Sequence, residues 1–151
     1  MANYNYSNNR QQQPRHQGDR KQAIKNEQEQ IVAYFKSEWI KNDIDKECVD
    51  FCEKVAKYLA EAKVSSSLLR NIYGELKRIE AKGFELCKTD FFLLRPKVAY
   101  TIVRNEKNDY AQLFNAVYQK TSSNTSNEAH FSNLVRMCEA IIAFHKTHNP
   151  K

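Results

Sequence analysis

Between Phe131 and Ile142, the residues Phe131, Leu134, Val135, Cys138, Ile141 and Ile142 stand at offsets 0, 3, 4, 7, 10 and 11. That repeat puts all of them on one side of an α-helix, whereas a strand would need alternation by two. Cys48, Phe51, Cys52, Val55, Tyr58 and Leu59 show the same repeat, as do Leu69, Ile72, Tyr73, Leu76 and Ile79. With 3 Gly and 3 Pro in 151 residues, the chain lacks the turn residues of a sandwich or barrel. The predicted fold class is therefore all-α, with long helices joined by short polar links around one core.

Local punctuation places the elements. A short amphipathic helix is expected over residues 31–40 and a clearer one over 44–62. Ser65, Ser66 and Ser67 offer an N-cap for the next helix, and Gly83 a C-cap beyond it. Thr89 is a candidate cap ahead of a helical turn over 91–94, and Pro96 is expected to open the main helix over 96–104. Another helix is predicted over 110–120, then a loop over 121–127. Thr125 and Glu128 have the spacing of a capping box before the last helix.

Residues 1–30 are rich in Asn, Gln and Arg, with no large aliphatic side chain between Met1 and Ile24. Such a segment buries too little apolar surface to offset ordering, so a disordered basic tail is expected, followed by a helical domain over 31–151. The formal charge of +6 favours anionic partners without choosing among nucleic acid, membrane surface and acidic protein. No apolar run is long enough to span a bilayer, and no secretory h-region opens the chain, so no membrane association is expected. Cys48, Cys52, Cys87 and Cys138 follow no zinc or disulfide spacing, which points to a reducing cytoplasm. Cys48 and Cys52 share a helical face, where small core residues are expected rather than a metal pair.

No glycine-rich phosphate loop, zinc-protease motif or nucleophile elbow is present, so neither catalytic residue, metal nor cofactor is expected. His145 and His148 are conceivable as an acid–base pair, but are read as exposed terminal histidines. The cations say more. Arg70, Gly74, Lys77 and Ala81 fall on one helical face, and a mid-helix glycine costs about 0.5–1 kcal/mol unless another backbone approaches it. Lys97, Tyr100, Thr101 and Arg104 share a second face, with Arg95 at its mouth. A solvated surface explains the first face as readily as a phosphate contact does. At the second, a helix N-terminus beside two cations favours phosphate, while Tyr100 stacks on a base or, more commonly, packs its ring between helices.

Ser65-Ser66-Ser67-Leu68-Leu69-Arg70-Asn71, Leu94 through Arg104 and Glu139 through Lys146 form a set that resembles the small subunit of type III-A CRISPR–Cas effector (Csm) complexes. The first segment is similar to that family's hydroxyl, apolar, Arg helix start. Leu94 through Arg104 resembles its central Pro-Lys-x-Ala-Tyr … Arg helix. Glu139-Ala140-Ile141-Ile142-Ala143-Phe144-His145-Lys146 resembles its C-terminal signature, with Phe144 where tyrosine is common. Order and spacing agree over residues 44–148.

The resemblance implies a compact bundle of about five helices that serves as a non-catalytic subunit of a ribonucleoprotein. Its partners would be guide RNA and target RNA, the backbone and large subunits, and other copies of itself. It would hold RNA through Arg70, Arg95, Lys97 and Arg104, with Arg136 added on the last helix; Lys77 joins them from the face it shares with Arg70. A subunit that accepts any target should read phosphates and A-form shape, leaving sequence to base pairing. The competing readings are a helical adaptor for an acidic protein partner, without RNA contact, and a free-standing single-strand RNA-binding bundle.

Overall fold

Short polar side chains start the helices. The Asp45 carboxylate accepts from the Cys48 amide, Ser65 Oγ from the Ser67 and Leu68 amides, and the Asn127 side chain from the His130 amide. Each satisfies an N–H that the first helical turn leaves unpaired. A computed structural model of the chain describes the backbone of residues 12–105 and 108–149, and the side chains of residues 18–104 and 108–149. Among these residues are seven α-helices and no strand. They are α1 (Gln12–Val32), α2 (Glu38–Lys41), α3 (Lys46–Glu61), α4 (Ser66–Lys82), α5 (Lys88–Asn105), α6 (Gln112–Ser123) and α7 (Glu128–His148). Short 3-10 turns over Glu85–Cys87 and Asp109–Ala111 lead into α5 and α6.

Helix α7 organises the core. Its wide apolar side packs along α3 and against α2, α4 and α6, while α5 closes the space between α4 and α6. The rings of Phe84, Phe91 and Phe131 meet at centroid distances of 5.2–5.4 Å, joining the turn before α5, α5 and α7. Such aromatic pairs add about 0.5–1.5 kcal/mol each beyond their area. All four cysteines are buried in this core, and Cys52 Sγ donates to the Met137 carbonyl at 3.7 Å. Burial pushes the Cys138 thiol up to about 12.

The link from α3 to α4 is fixed from two sides. Lys63 takes a left-handed φ of 62°, its amide bonds the Ala60 carbonyl, and the Val64 amide bonds the Leu59 carbonyl. This is the Schellman closure, with lysine in the position glycine usually holds. From α7, buried His145 donates Nε2–H to the Val64 carbonyl at 3.0 Å. Gly83 ends α4 at a φ of 101°, as its sequence position predicts.

Several elements differ from the sequence reading. Among the described residues the count is seven helices rather than about five, because α1 is present and the expected helix over 31–40 divides. α1 ends at Val32, Tyr34 and Phe35 turn the chain, and α2 begins at Glu38. The boundary drawn at residue 30 falls inside α1, whose Ile24, Gln28 and Ile31 are buried. For residues 1–11 the expected disorder lies outside the described residues. Pro96 does not open a helix; it lies inside α5, which runs unbroken from Lys88. Its missing N–H falls on the solvent side of α5, where Phe92 is also exposed and water can reach the unpaired carbonyl. Thr89 therefore caps nothing. Thr125 donates its hydroxyl to the Thr121 carbonyl, so Asn127, not Thr125, caps α7.

Candidate nucleic-acid interface

α4 buries Leu68, Leu69, Ile72, Leu76 and Ile79, which turns Arg70, Gly74, Lys77 and Ala81 directly outward. Arg70 has no ion-pair partner among the described residues. A Cβ built on Gly74 would meet no heavy atom within 4 Å among the described residues, so no packing contact with them accounts for that glycine. Lys77 bonds Glu80 at 2.6 Å, which raises its pKa, and its Nζ stands 6.0 Å from the Tyr73 ring centroid.

α5 runs antiparallel beside α4. Arg78 lies 4.0 Å from Asp90 and Glu75 3.6 Å from Lys97, while Asn71 and Thr101 border one groove. That direction sets Arg70 and Arg104 at the same end of the helix pair, beside the N-terminus of α4. Lys97 and Arg104 share the flank of α5 that faces α4. Arg104 donates to the Tyr100 hydroxyl at 3.4 Å and stands 5.9 Å from that ring's centroid. Glu75 sits among the cations: the hydrogen bond from Arg78, helped by Lys97, holds its carboxyl below the usual range. These pairs are exposed and weakened by solvent screening, so a phosphate can displace them.

The structure does not gather the whole expected set. Two residues along the helix turn Arg95 about 160° from Lys97, and its carbonyl accepts from Gln119 of α6 at 3.3 Å. Burial raises the pKa of the Tyr118 hydroxyl, Cys138 adds to it, and the Arg95 charge opposes both, which places that charge on the α6 side. Arg136 projects from α7 toward Asp43, 3.9 Å away in the α2–α3 link. Arg70 and Lys77 on α4, with Lys97 and Arg104 on α5, form the shared surface; Arg95 and Arg136 lie off it. His145 is buried rather than exposed, because α7 carries it against the α3–α4 link, so it forms no acid–base pair with exposed His148. Among the described residues, no group of three or more His, Cys, Asp or Glu is placed to hold a metal ion. No described helix is long and apolar enough to cross a membrane.

One feature of α5 escaped the sequence reading. Phe92, Leu93, Tyr100 and Val103 are between 61% and 66% exposed and, with exposed Pro96, form an apolar crest beside Lys97 and Arg104. Winding one helix through Pro96 from residue 88 would have revealed it. Apolar crests of this kind mark contact surfaces.

No curated protein and no solved structure matches the chain. The family Csm2 Type III-A matches residues 42–151, which takes in α3 to α7 and leaves α1 and α2 outside. With these helices inside the match and the three resembling segments on α4, α5 and α7, the chain belongs to the Csm2 family, the small subunit of the type III-A CRISPR effector complex.

Proposed function

We propose that this subunit catalyses no reaction and supports the duplex of guide RNA and target RNA in the cytoplasm, by sequence-independent contacts to phosphates. The backbone and large subunits and further copies of the chain would complete the particle. One observation carries the reading: on α4, an arginine without an ion-pair partner among the described residues flanks a glycine that no described residue covers. A phosphate backbone laid across Gly74 would meet Arg70 and Lys77, with Lys97 and Arg104 of α5 beside them. Weak contacts of this kind add up when several copies hold one strand, because later contacts become intramolecular.

The test is target-RNA affinity across a salt series, in matched complexes of the parent chain and of the Arg70→Ala, Lys97→Ala and Arg104→Ala variants. For single-stranded RNA, the slope against log salt should fall by about 0.7 for each phosphate that is no longer neutralised. It should do so alike for unrelated target sequences. An unchanged slope together with failed entry into the complex sinks this reading. That outcome would favour the second one, an adaptor for an acidic protein face, which the apolar crest of α5 between its cations supports.

A further inference from the structure

A groove of about 680 Å³ runs between α1 and α6, within the size range of small-molecule sites. Gln28 of α1 donates to the Asp109 and Tyr110 carbonyls at 3.1 and 3.4 Å, which pins the middle of α1 to the start of α6. From that pin the groove extends to Lys21 on one wall and Lys120 on the other, so the two helices run antiparallel.

The two ends carry opposite charge. Lys21 and Lys120 border one end and Glu29 and Asp109 the other, with Lys25 midway along α1, one turn from Lys21 and one from Glu29. None of these five has an ion-pair partner among the described residues. Between the ends lie the apolar Ile24 and Ala116, with the Gln112 and Asn115 amides at hand. Glu29 and Lys21 are eight residues apart, about 12 Å along α1, which suits one nucleotide from base edge to phosphate. A phosphate fits the lysines, and a flat heterocycle fits the floor. Among bases, guanine offers neighbouring N1–H and N2–H donors, the complement of a carboxylate.

We infer that the α1–α6 groove binds a guanosine 5′-monophosphate unit, phosphate to Lys21, Lys25 and Lys120 and base edge to Glu29 and Asp109. One wall of this site is α1, which lies outside the family match, and the site selects a base where the α4–α5 face does not. The unit can be a free nucleotide or one residue of an RNA strand.

Calorimetric titration of the full chain with 5′-GMP, 5′-AMP, guanosine and inorganic phosphate tests it, beside a short RNA carrying one guanosine and the same RNA with adenosine there. GMP should bind more tightly than the other three small molecules if the free nucleotide is the ligand. If the strand is the source, the preference appears only between the two RNAs. In either case Lys25→Gln with Lys120→Gln should weaken binding of the preferred ligand by roughly tenfold for each lysine charge removed. Glu29→Gln with Asp109→Asn should erase the preference for guanine. All four side chains are exposed or half-buried, and an unchanged circular dichroism spectrum verifies the fold. No guanine preference in any arm, or one that survives both double substitutions, overturns the inference. RNA binding that depends on Lys97 and Arg104 but not on this groove would overturn it too, and leave the α4–α5 reading standing.

Discussion

Replacing Gly74 by alanine should make the protein more stable and a poorer RNA binder. Gly74 lies in the interior of α4, where glycine costs about 0.5–1 kcal/mol relative to alanine through its backbone freedom. The added methyl meets nothing within 4 Å, so no steric loss offsets that gain. For a chain of this length, 1 kcal/mol moves Tm by roughly 2–4 °C, and the rise for Gly74→Ala should fall at or below that range. Thermal unfolding followed by circular dichroism measures it. Gly83→Ala is the internal control: its φ of 101° is hostile to a Cβ, and it should lose about 1–2 kcal/mol. In RNA titrations, Gly74→Ala removes no charge, so affinity should fall while the salt slope stays that of the parent. Arg70→Ala, by contrast, should lower the slope itself. A destabilised Gly74→Ala would show that the glycine has a role within the fold. A stabilised one with undiminished RNA affinity would show that no backbone crosses this face.

Lys63→Gly should stabilise by about 0.5–1 kcal/mol, because lysine bears a left-handed φ of 62° that glycine adopts freely; a lower urea midpoint would refute this. Asn133 is buried and donates to the Ile40 and Asn42 carbonyls at 3.0 and 3.4 Å. Asn133→Ala should therefore cost about 1–3 kcal/mol, read from chemical denaturation through Trp39 fluorescence. Burial holds the His145 imidazole below its usual pKa, against the opposing pull of the Val64 carbonyl. The unfolded chain then binds more protons in the window from about pH 6.5 down to the lower folded value. The His145 contribution is whole above that window and is lost as pH falls through it. Urea midpoints compared across the window should fall less steeply for His145→Gln than for the parent, and an equal fall would remove His145 as the cause.

Helices α3, α4 and α7 were legible because each carries a broad apolar face, helped at α4 by the Ser65 cap; the caps Asp45 and Asn127 went unread although they act within a few residues. α1 was not, because its side chains are mostly polar. Beyond Ile24 and Ile31, what fastens it is Gln28, whose bonds reach residues some eighty positions along the chain. Pro96 misled for a related reason: its cost depends on whether water reaches the unpaired carbonyl, and that follows from packing. At the candidate interface, the outward face of α4 followed from periodicity alone. The pairing of Lys97 with Glu75, and the turn of Arg95 toward α6, exist only once α4, α5 and α6 lie side by side.

The apolar crest of α5 gives dissolved salt two opposed effects on this chain. With a formal charge of +6, copies in dilute buffer repel one another, and that repulsion keeps Phe92, Leu93, Tyr100 and Val103 apart from their counterparts. Added salt shortens the reach of the repulsion to about 8 Å at physiological ionic strength, close to side-chain dimensions. On the proposed reading, the same ions that would loosen phosphate from Arg70 and Lys97 would let two crests meet. Ionic strength would then select between a chain that holds a polyanion and a chain that holds another protein surface.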